Sequence, residues 1–194
     1  MVVSAGSYPN FSSDSPVLDP SPVSPEDVAA NLSVGFLTAR KAQSQNSLRF
    51  VMFPVGDLDL AIPIATVVKV VNLGTVKGSG QSPWGVTALG SQPYTVIDLH
   101  HYLFQTPLPP SAQGGYLVLI SLTTGELVGI PTMCTPTLVE ANWEQIRLLP
   151  DAYRKSDRLA VASHLIRWAN PETQGDHFLF VLDVNALSDL TWRS

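Results

Sequence analysis

One arrangement of apolar strands and turns occurs twice in this chain of 194 residues, and the repeat restricts how the chain can fold. Residues 50–63 (FVMFPVGDLDLAIP) and 116–131 (YLVLISLTTGELVGIP) each contain an apolar stretch, a glycine turn with an acid beside it, a second apolar stretch and Ile-Pro. Each pattern predicts a β-hairpin. Further along, 94–103 (YTVIDLHHYL) and 179–187 (LFVLDVNAL) each lead from an apolar strand into an aspartate and a helical turn. The repeat predicts two similar small β-barrels, packed together because either one alone would have a marginal core.

The residue pattern from Leu48 onward is typical of many short strands, because apolar, β-branched stretches alternate with Gly, Pro, Asn and Asp. The expected strands are 48–55, 58–62, 67–71, 84–89, 93–98, 115–122, 126–130, 137–141, 159–166 and 177–184. Short helical turns are expected at 100–104 and 185–192. The alternation of strand and long helix that builds a nucleotide-binding sheet is absent, so the sequence predicts an all-β fold.

The segment before Leu48 differs in composition. Seven Ser and five Pro occur in the first 27 residues, and a segment of this kind buries too little surface to offset its ordering entropy. We therefore expect a disordered tail over 1–25, and a candidate helix with a linker over 26–46. Ser24 and Pro25 have the order of a helix start, and Val28, Leu32, Phe36 and Ala39 would share one face of a helix over 26–40. Such a helix would dock on its own domain or on a partner.

The remaining boundaries follow from the repeat. Residues 105–115 (QTPLPPSAQGG) form a Pro/Gly-rich connection between the two copies. The domain is expected to span 47–194, with a first barrel over 47–104 and a second over 116–188.

Charge and composition exclude several classes of function. Eleven Lys and Arg against sixteen Asp and Glu give a net charge of −5, and the longest basic run is the pair Arg40-Lys41, so nucleic-acid binding is not expected. No stretch approaches the roughly 18 apolar residues of a membrane span. The single cysteine, Cys134, and the missing basic leader suit a reducing cytoplasm.

The sequence offers no recognisable catalytic, cofactor-binding or metal site. It contains no G-x-S-x-G elbow, and Gly78-Ser79-Gly80 is too short for a phosphate-binding loop. Asp98 and Asp183 each follow an apolar strand and precede a helical turn, which predicts helix capping. A small all-β enzyme remains an alternative, with five candidate residues that would have to converge in one pocket: Asp98, His100, His101, His164 and Asp183.

The motifs of 48–188 resemble the CheW-like domain, the adaptor of bacterial chemosensory arrays. The resemblance rests on Phe50–Phe53, Ala61–Ile64, Gly85–Leu89 and Val96–Leu99, in this order, and on Gly129-Ile130 and Leu182-Asp183 in the second copy. It implies two five-stranded SH3-like barrels and a non-enzymatic linker protein.

The resemblance also implies partners. One barrel face would pair with the regulatory domain of a CheA-type histidine kinase, and a groove between the barrels would hold the tip of a chemoreceptor's helical hairpin. Four residues match the groove-lining stretches of the family: Val67, Val70, Val86 and Leu89. The alternative for these side chains is ordinary core of the first barrel.

Two charged positions of the family groove differ in this chain. Lys69 stands where adaptors often have glutamate, and Gly90 stands where the family usually has arginine. Because a lost charge contact at a buried interface typically costs ~2–5 kcal/mol, a standard receptor tip is expected to bind poorly.

Three functions therefore stay open. The first is a divergent CheW-like scaffold in a chemosensory or type IV pilus motility pathway, which couples a receptor and a kinase or a replacement partner. The second is a double-barrel assembly or ligand-binding module that has lost this coupling and self-associates. The third is the enzyme described above.

Overall fold

The computed structural model describes residues 47–78, 81–109, 114–154, 159–169 and 176–191. The expected tail over 1–25 and the expected helix over 26–40 lie outside these residues.

Twelve strands and three short helices make up the described part of the chain. The strands are β1 (Ser47–Val55), β2 (Leu58–Pro63), β3 (Val67–Asn72), β4 (Val76–Gly78), β5 (Trp84–Leu89), β6 (Gln92–Ile97), β7 (Tyr116–Ser121), β8 (Leu127–Thr132), β9 (Thr137–Asn142), β10 (Ile146–Leu148), β11 (Ala162–Ala169) and β12 (Asp176–Leu182). The helices are α1 (Leu99–Phe104), α2 (Asp151–Arg154) and α3 (Val184–Thr191), and two 3₁₀ turns span Ile64–Thr66 and Trp143–Gln145.

The all-β prediction is confirmed. All ten expected strands are present, and both helical turns lie close to their expected positions. The sequence did not indicate β4 and β10, because each has only three residues and no period can be read from so short a stretch.

The strands form two six-stranded sheets, and each sheet takes strands from both halves of the chain. Sheet A has the order β10-β11-β12-β2-β1-β9, and sheet B has the order β3-β7-β8-β6-β5-β4. The first hairpin, β1-β2, therefore lies among strands of the second half, and the hairpin β7-β8 lies among strands of the first half. The exchange joins β2 to β12 and β6 to β8 as parallel pairs.

The two sheets match strand for strand. When β1-β2 is equated with β7-β8, the order of sheet A is that of sheet B read in reverse, and β9 to β12 correspond to β3 to β6. The repeat seen in the sequence is thus a repeat of topology. The barrel boundaries at 47–104 and 116–188 remain a prediction, and strand pairing crosses them in both directions.

Each sheet curls around a small core of its own. In sheet A, Val139 of β9 and Ile146 of β10 belong to one buried cluster although these strands are at opposite ends of the sheet. In sheet B, the corresponding cluster is centred on Val96, Leu117 and Leu119. This curling gives the two barrel-like units that the sequence predicts, with six strands each rather than five because β4 and β10 join the sheets.

A third and larger core lies between the sheets. The two exchanged hairpins supply much of it: Val51 and Phe53 of β1 face this central core, whereas Leu48 and Phe50 face the core of sheet A. In β7, Val118 and Ile120 likewise face the central core. Both hairpins are buried on both faces, which explains why their strands are apolar throughout rather than alternating.

Candidate partner-binding surface

Strand β3 carries three of the six residues predicted to bind a partner, and its side chains become exposed soon after it begins. Val67 is half-buried and packs against the central core. The pairing with β7 shifts between Val67 and Lys69, and a shift of this kind turns the following side chains. As a result Val68 is 52% exposed and Val70 is 40% exposed, on a strand that pairs only with β7 among the described strands.

Lys69 lies across the mouth of the sheet B barrel. Its Nζ is 5.7 Å from the centre of the Tyr94 ring, within the range of a cation–π interaction. Tyr94 belongs to β6 and stands opposite Thr87 of β5, so this contact brings β3 close to the β5-β6 hairpin. The position that holds glutamate in many adaptors thus presents a positive charge that is held in place by an aromatic ring.

Val86 of β5 is 49% exposed and lies on the same face of sheet B as Val70. The pairing shows this, because Val70 is opposite Val118, whose side chain faces the central core. Val86 is opposite Thr95, which in turn is opposite Val128, another residue of the central core. The two valines therefore continue the apolar face that binds the sheets together, beyond the area that sheet A covers.

Leu89 and Gly90 have structural roles in the same hairpin. Leu89 is half-buried and packs against the core of sheet B. Gly90 is the first residue of the two-residue turn between Leu89 and Gln92 and has a φ of 66°, which favours glycine at that position. Its surroundings are open, so the turn conformation rather than space accounts for glycine where the family has arginine.

The structure therefore divides the six predicted partner-binding residues into those that support the fold and those that are exposed. Val67 and Leu89 contribute mainly to packing, Gly90 forms a turn, and Lys69, Val70 and Val86 are exposed. Two neighbours join them, since Val68 is exposed beside Lys69, and exposed Lys77 of β4 stands opposite Val86. We call this set the valine surface: Val68, Lys69, Val70, Lys77 and Val86. Lys77 lies on the same face of sheet B as Val70 and Val86, whereas Lys69, opposite Leu119 of the sheet B core, extends from the β3 edge on the other face.

A sequence signal for this surface exists, although the motif comparison did not use it. Residues 64–97 contain Lys69 and Lys77 but no Asp or Glu, in a chain whose net charge is −5. An acid-free stretch of this length in an acidic protein marks a surface of different charge.

Three of the five residues of the enzyme alternative lie together near α1, and the structure gives two of them other partners. Both carboxylate oxygens of Asp98 accept backbone N–H groups, from His101 and from Leu108, each at 2.9 Å. The His100 ring is 2.8 Å from the carbonyl of Thr106 through Nδ1 and packs at a tilt on Phe104. Asp98 and His101 line a cleft of about 440 Å³ whose other walls are largely apolar side chains, glycine and proline, including Trp84 and Met133.

The other two residues lie with sheet A. Asp183 caps α3 by accepting the N–H groups of Asn185 and Ala186, and its second oxygen is 3.6 Å from the guanidinium of Arg154. His164 is 1% exposed, and its Nδ1 is 2.9 Å from Ser163 Oγ. Burial and, to a smaller extent, the Arg154 charge lower the pKa of His164 from 6.5 to about 4. Asp98 and Asp183 thus cap helices at equivalent positions of the repeat, which is the role that the sequence predicts for them.

Further negative findings concern only the described part of the chain. There, no three His, Cys, Asp or Glu side chains group as metal ligands would. No helix among those residues has the length and apolarity needed to cross a membrane.

The comparisons with known proteins agree with this architecture. The CheW-like domain family model matches residues 49–191. Among solved structures, the chain is similar to the scaffolding protein TtCheW from Thermoanaerobacter tengcongensis, with a TM-score of 0.58 and 14% sequence identity over 72% of this chain and 86% of that one. A search of curated proteins finds no match. Since the family model covers nearly the whole double-barrel unit, the chain belongs to the CheW-like domain family.

Proposed function

We propose that this protein is a non-enzymatic, cytoplasmic adaptor that couples a CheA-type histidine kinase to a chemoreceptor or to a replacement partner, in a chemosensory or type IV pilus motility pathway. The valine surface carries the proposal, because apolar side chains at 40–52% exposure beside the contact between two sheets are suited to receive a protein partner. The candidate catalytic residues support the same conclusion, because Asp98 and Asp183 cap separate helices and only Asp98 and His101 of the five line the same cleft.

Calorimetric titration of the full chain with the regulatory domain of a CheA-type kinase from the same genome tests the kinase contact. We assign the kinase contact to the valine surface as well, beside the receptor groove that the resemblance implies. We therefore expect micromolar binding, which Val70→Glu or Val86→Glu abolishes because each places a charge in the apolar contact. Leu138→Glu is the matched control. Leu138 is 54% exposed, lies on β9, and occupies the position in sheet A that corresponds to Val70. Binding that is lost in Leu138→Glu and kept in both valine variants would place the contact elsewhere.

The receptor contact needs a separate test, because the charge at position 69 is reversed relative to many adaptors. We expect a chemoreceptor hairpin tip to bind the native chain weakly and Lys69→Glu more tightly. Lys77→Glu is the control, since it makes the same change of charge outside the matched position. Equal gains in both variants would mean that net charge, not the residue at 69, governs receptor binding.

A second candidate function is an assembly module of identical chains. The outer edge of β3 has no partner strand among the described residues, and Val68 and Val70 are exposed along it. Sedimentation over a hundredfold range of concentration separates the two functions. A mass that rises with concentration and falls in Val68→Lys would support assembly, and a constant monomer mass would exclude it.

A further inference from the structure

The stretch of the described domain with the most exposed large apolar side chains contains no acid. Seven large apolar side chains of the described residues are exposed, and four of them belong to β3, β4 and β5: Val68, Val70, Val76 and Val86. The same stretch of chain, 64–97, carries two lysines and no acid. A segment that combines apolar side chains with carboxylates would therefore complement it.

The chain itself contains a segment with this composition. Residues 1–39 include four acids, Asp14, Asp19, Glu26 and Asp27, and neither Lys nor Arg. The sequence predicts that Val28, Leu32 and Phe36 share a helix face directly after the last two of these acids. Segment and surface are therefore complementary in both charge and apolar character.

The segment is long enough to reach the valine surface. Eleven residues separate Phe36, the last of these apolar residues, from Ser47, where β1 begins, and an extended chain spans at most about 3.6 Å per residue, or roughly 40 Å. A domain of this size is only about 40 Å across. Because the connection is covalent, the effective concentration of the segment at the surface is on the order of millimolar, so weak contacts suffice.

The other exposed apolar side chains offer a poorer match. Leu138 shares β9 with the exposed Glu140, which would repel an acidic segment. Phe178 of β12, opposite Arg167, and Leu148 of β10, opposite the buried His164, are each the one exposed large apolar side chain of their strand among the described residues. The valine surface combines exposed apolar side chains with two lysines and no acid.

We propose that residues 1–39 dock in cis on the valine surface, with the apolar face of Val28, Leu32 and Phe36 toward Val70 and Val86, and with the four acids near Lys77 on that face and Lys69 at the edge of β3. Docking covers the surface that the proposed function assigns to a partner, so the segment acts as an internal competitor that a partner must displace. The docking itself does not depend on the proposed function, whereas the competition does.

A spin label on the segment tests the docking without any partner. The full chain with Cys134→Ser and Ser33→Cys carries a single thiol, since Cys134 is the only native cysteine. With the label attached at position 33, we expect the methyl signals of Val70 and Val86 to lose most of their intensity and those of Leu138 to keep it. Added salt should restore the signals in part, because exposed charge pairs are screened. Equal intensity at all three residues would overturn the proposal.

Two matched variants separate specific docking from net charge. Asp19→Asn with Glu26→Gln and Asp27→Asn should release the segment and restore the Val70 and Val86 signals. The control is Asp57→Asn with Glu126→Gln and Glu144→Gln, which removes the same charge from three exposed acids of the domain and should leave the signal loss unchanged. Release in both variants would contradict a site at Lys69 and Lys77.

Mixing isotope-labelled chain with spin-labelled, isotope-free chain distinguishes docking in cis from exchange between copies. Signal loss in the mixture equal to that in the single chain would overturn docking in cis and assign the contact to a second copy. Calorimetry with the kinase domain then tests competition, which predicts several-fold tighter binding by the variant at residues 19, 26 and 27. Failure of every variant to bind the kinase would contradict the proposed function but leave the docking result intact.

Discussion

Asp98 holds the backbone of Leu108 next to the start of helix α1 through two hydrogen bonds. One carboxylate oxygen accepts the N–H of His101 and caps the helix, and the other accepts the N–H of Leu108 in the connection between the two halves, both at 2.9 Å. A single side chain therefore fixes the helix start and the path of the chain after it.

Replacement of Asp98 should destabilise the protein through both contacts. We expect Asp98→Ala to lower the free energy of unfolding by about 2 kcal/mol, the sum of a lost helix cap and a lost hydrogen bond. Hydrogen exchange at the Leu108 amide should become faster. Asp98→Asn retains one oxygen acceptor, so its free energy of unfolding should fall by less. Unchanged hydrogen-exchange protection of the Leu108 amide in Asp98→Ala would contradict this role.

The turn at Gly56 combines two constraints that can be separated by mutation. Gly56 has a φ of 62°, and a Cβ at this position would lie 2.7 Å from the Phe104 ring. Gly125 also has a positive φ, of 84°, but nothing lies within 4 Å of its Cβ position. Gly125→Ala should cost about 1 kcal/mol for the backbone strain alone. Gly56→Ala should lower the free energy of unfolding by clearly more, as measured by chemical denaturation. Equal losses in the two variants would show that the Phe104 ring moves aside to make room for the methyl group.

His164 should make the stability of the fold depend on pH. Its pKa is about 4 in the folded protein and 6.5 in the unfolded chain, so between these values the unfolded chain binds more protons. The free energy of unfolding should therefore fall as the pH drops from 6.5 towards 4, by up to about 1.4 kcal/mol per pH unit.

Urea denaturation at pH 7 and pH 5 measures this dependence. The comparison is between the native chain and His164→Leu, which cannot take up the proton, so that the contributions common to both proteins cancel. We expect the fall between the two pH values to be smaller in His164→Leu. An equal fall in both proteins would assign the dependence to other groups.

The exchange of hairpins predicts that the two halves of the domain need each other. Residues 47–104 alone lack β9 and β12, the outer neighbours of the β1-β2 hairpin, and residues 105–191 alone lack β3 and β6, the outer neighbours of the β7-β8 hairpin. Each fragment should be unfolded when expressed separately, and an equimolar mixture should regain the β-sheet circular dichroism and dispersed amide signals of the intact chain. A fragment that folds without its complement would show that strand pairing within one half is sufficient.

Local features of this fold could be predicted from sequence because neighbouring residues set them. The glycine turn at Gly56, the apolar strands on either side and the capping aspartates at 98 and 183 all depend on contacts within a few residues. The candidate site was predictable only in part. The motif comparison selected Val70 and Val86, which are exposed, but also Leu89, whose side chain faces the core of sheet B.

The sequence by itself determined the all-β class, the positions of most strands and the repeat. Only the tertiary structure decided that the hairpin of each half pairs with strands of the other half, because an apolar strand such as β2 does not specify which remote strand will pair with it. It also decided that Val70 lies on the face of sheet B that packs against sheet A but outside the covered area, since a bulge at β3 changes the register and the side that each residue faces. These outcomes depend on how much apolar surface each alternative pairing buries, and that quantity exists only once the whole chain has packed.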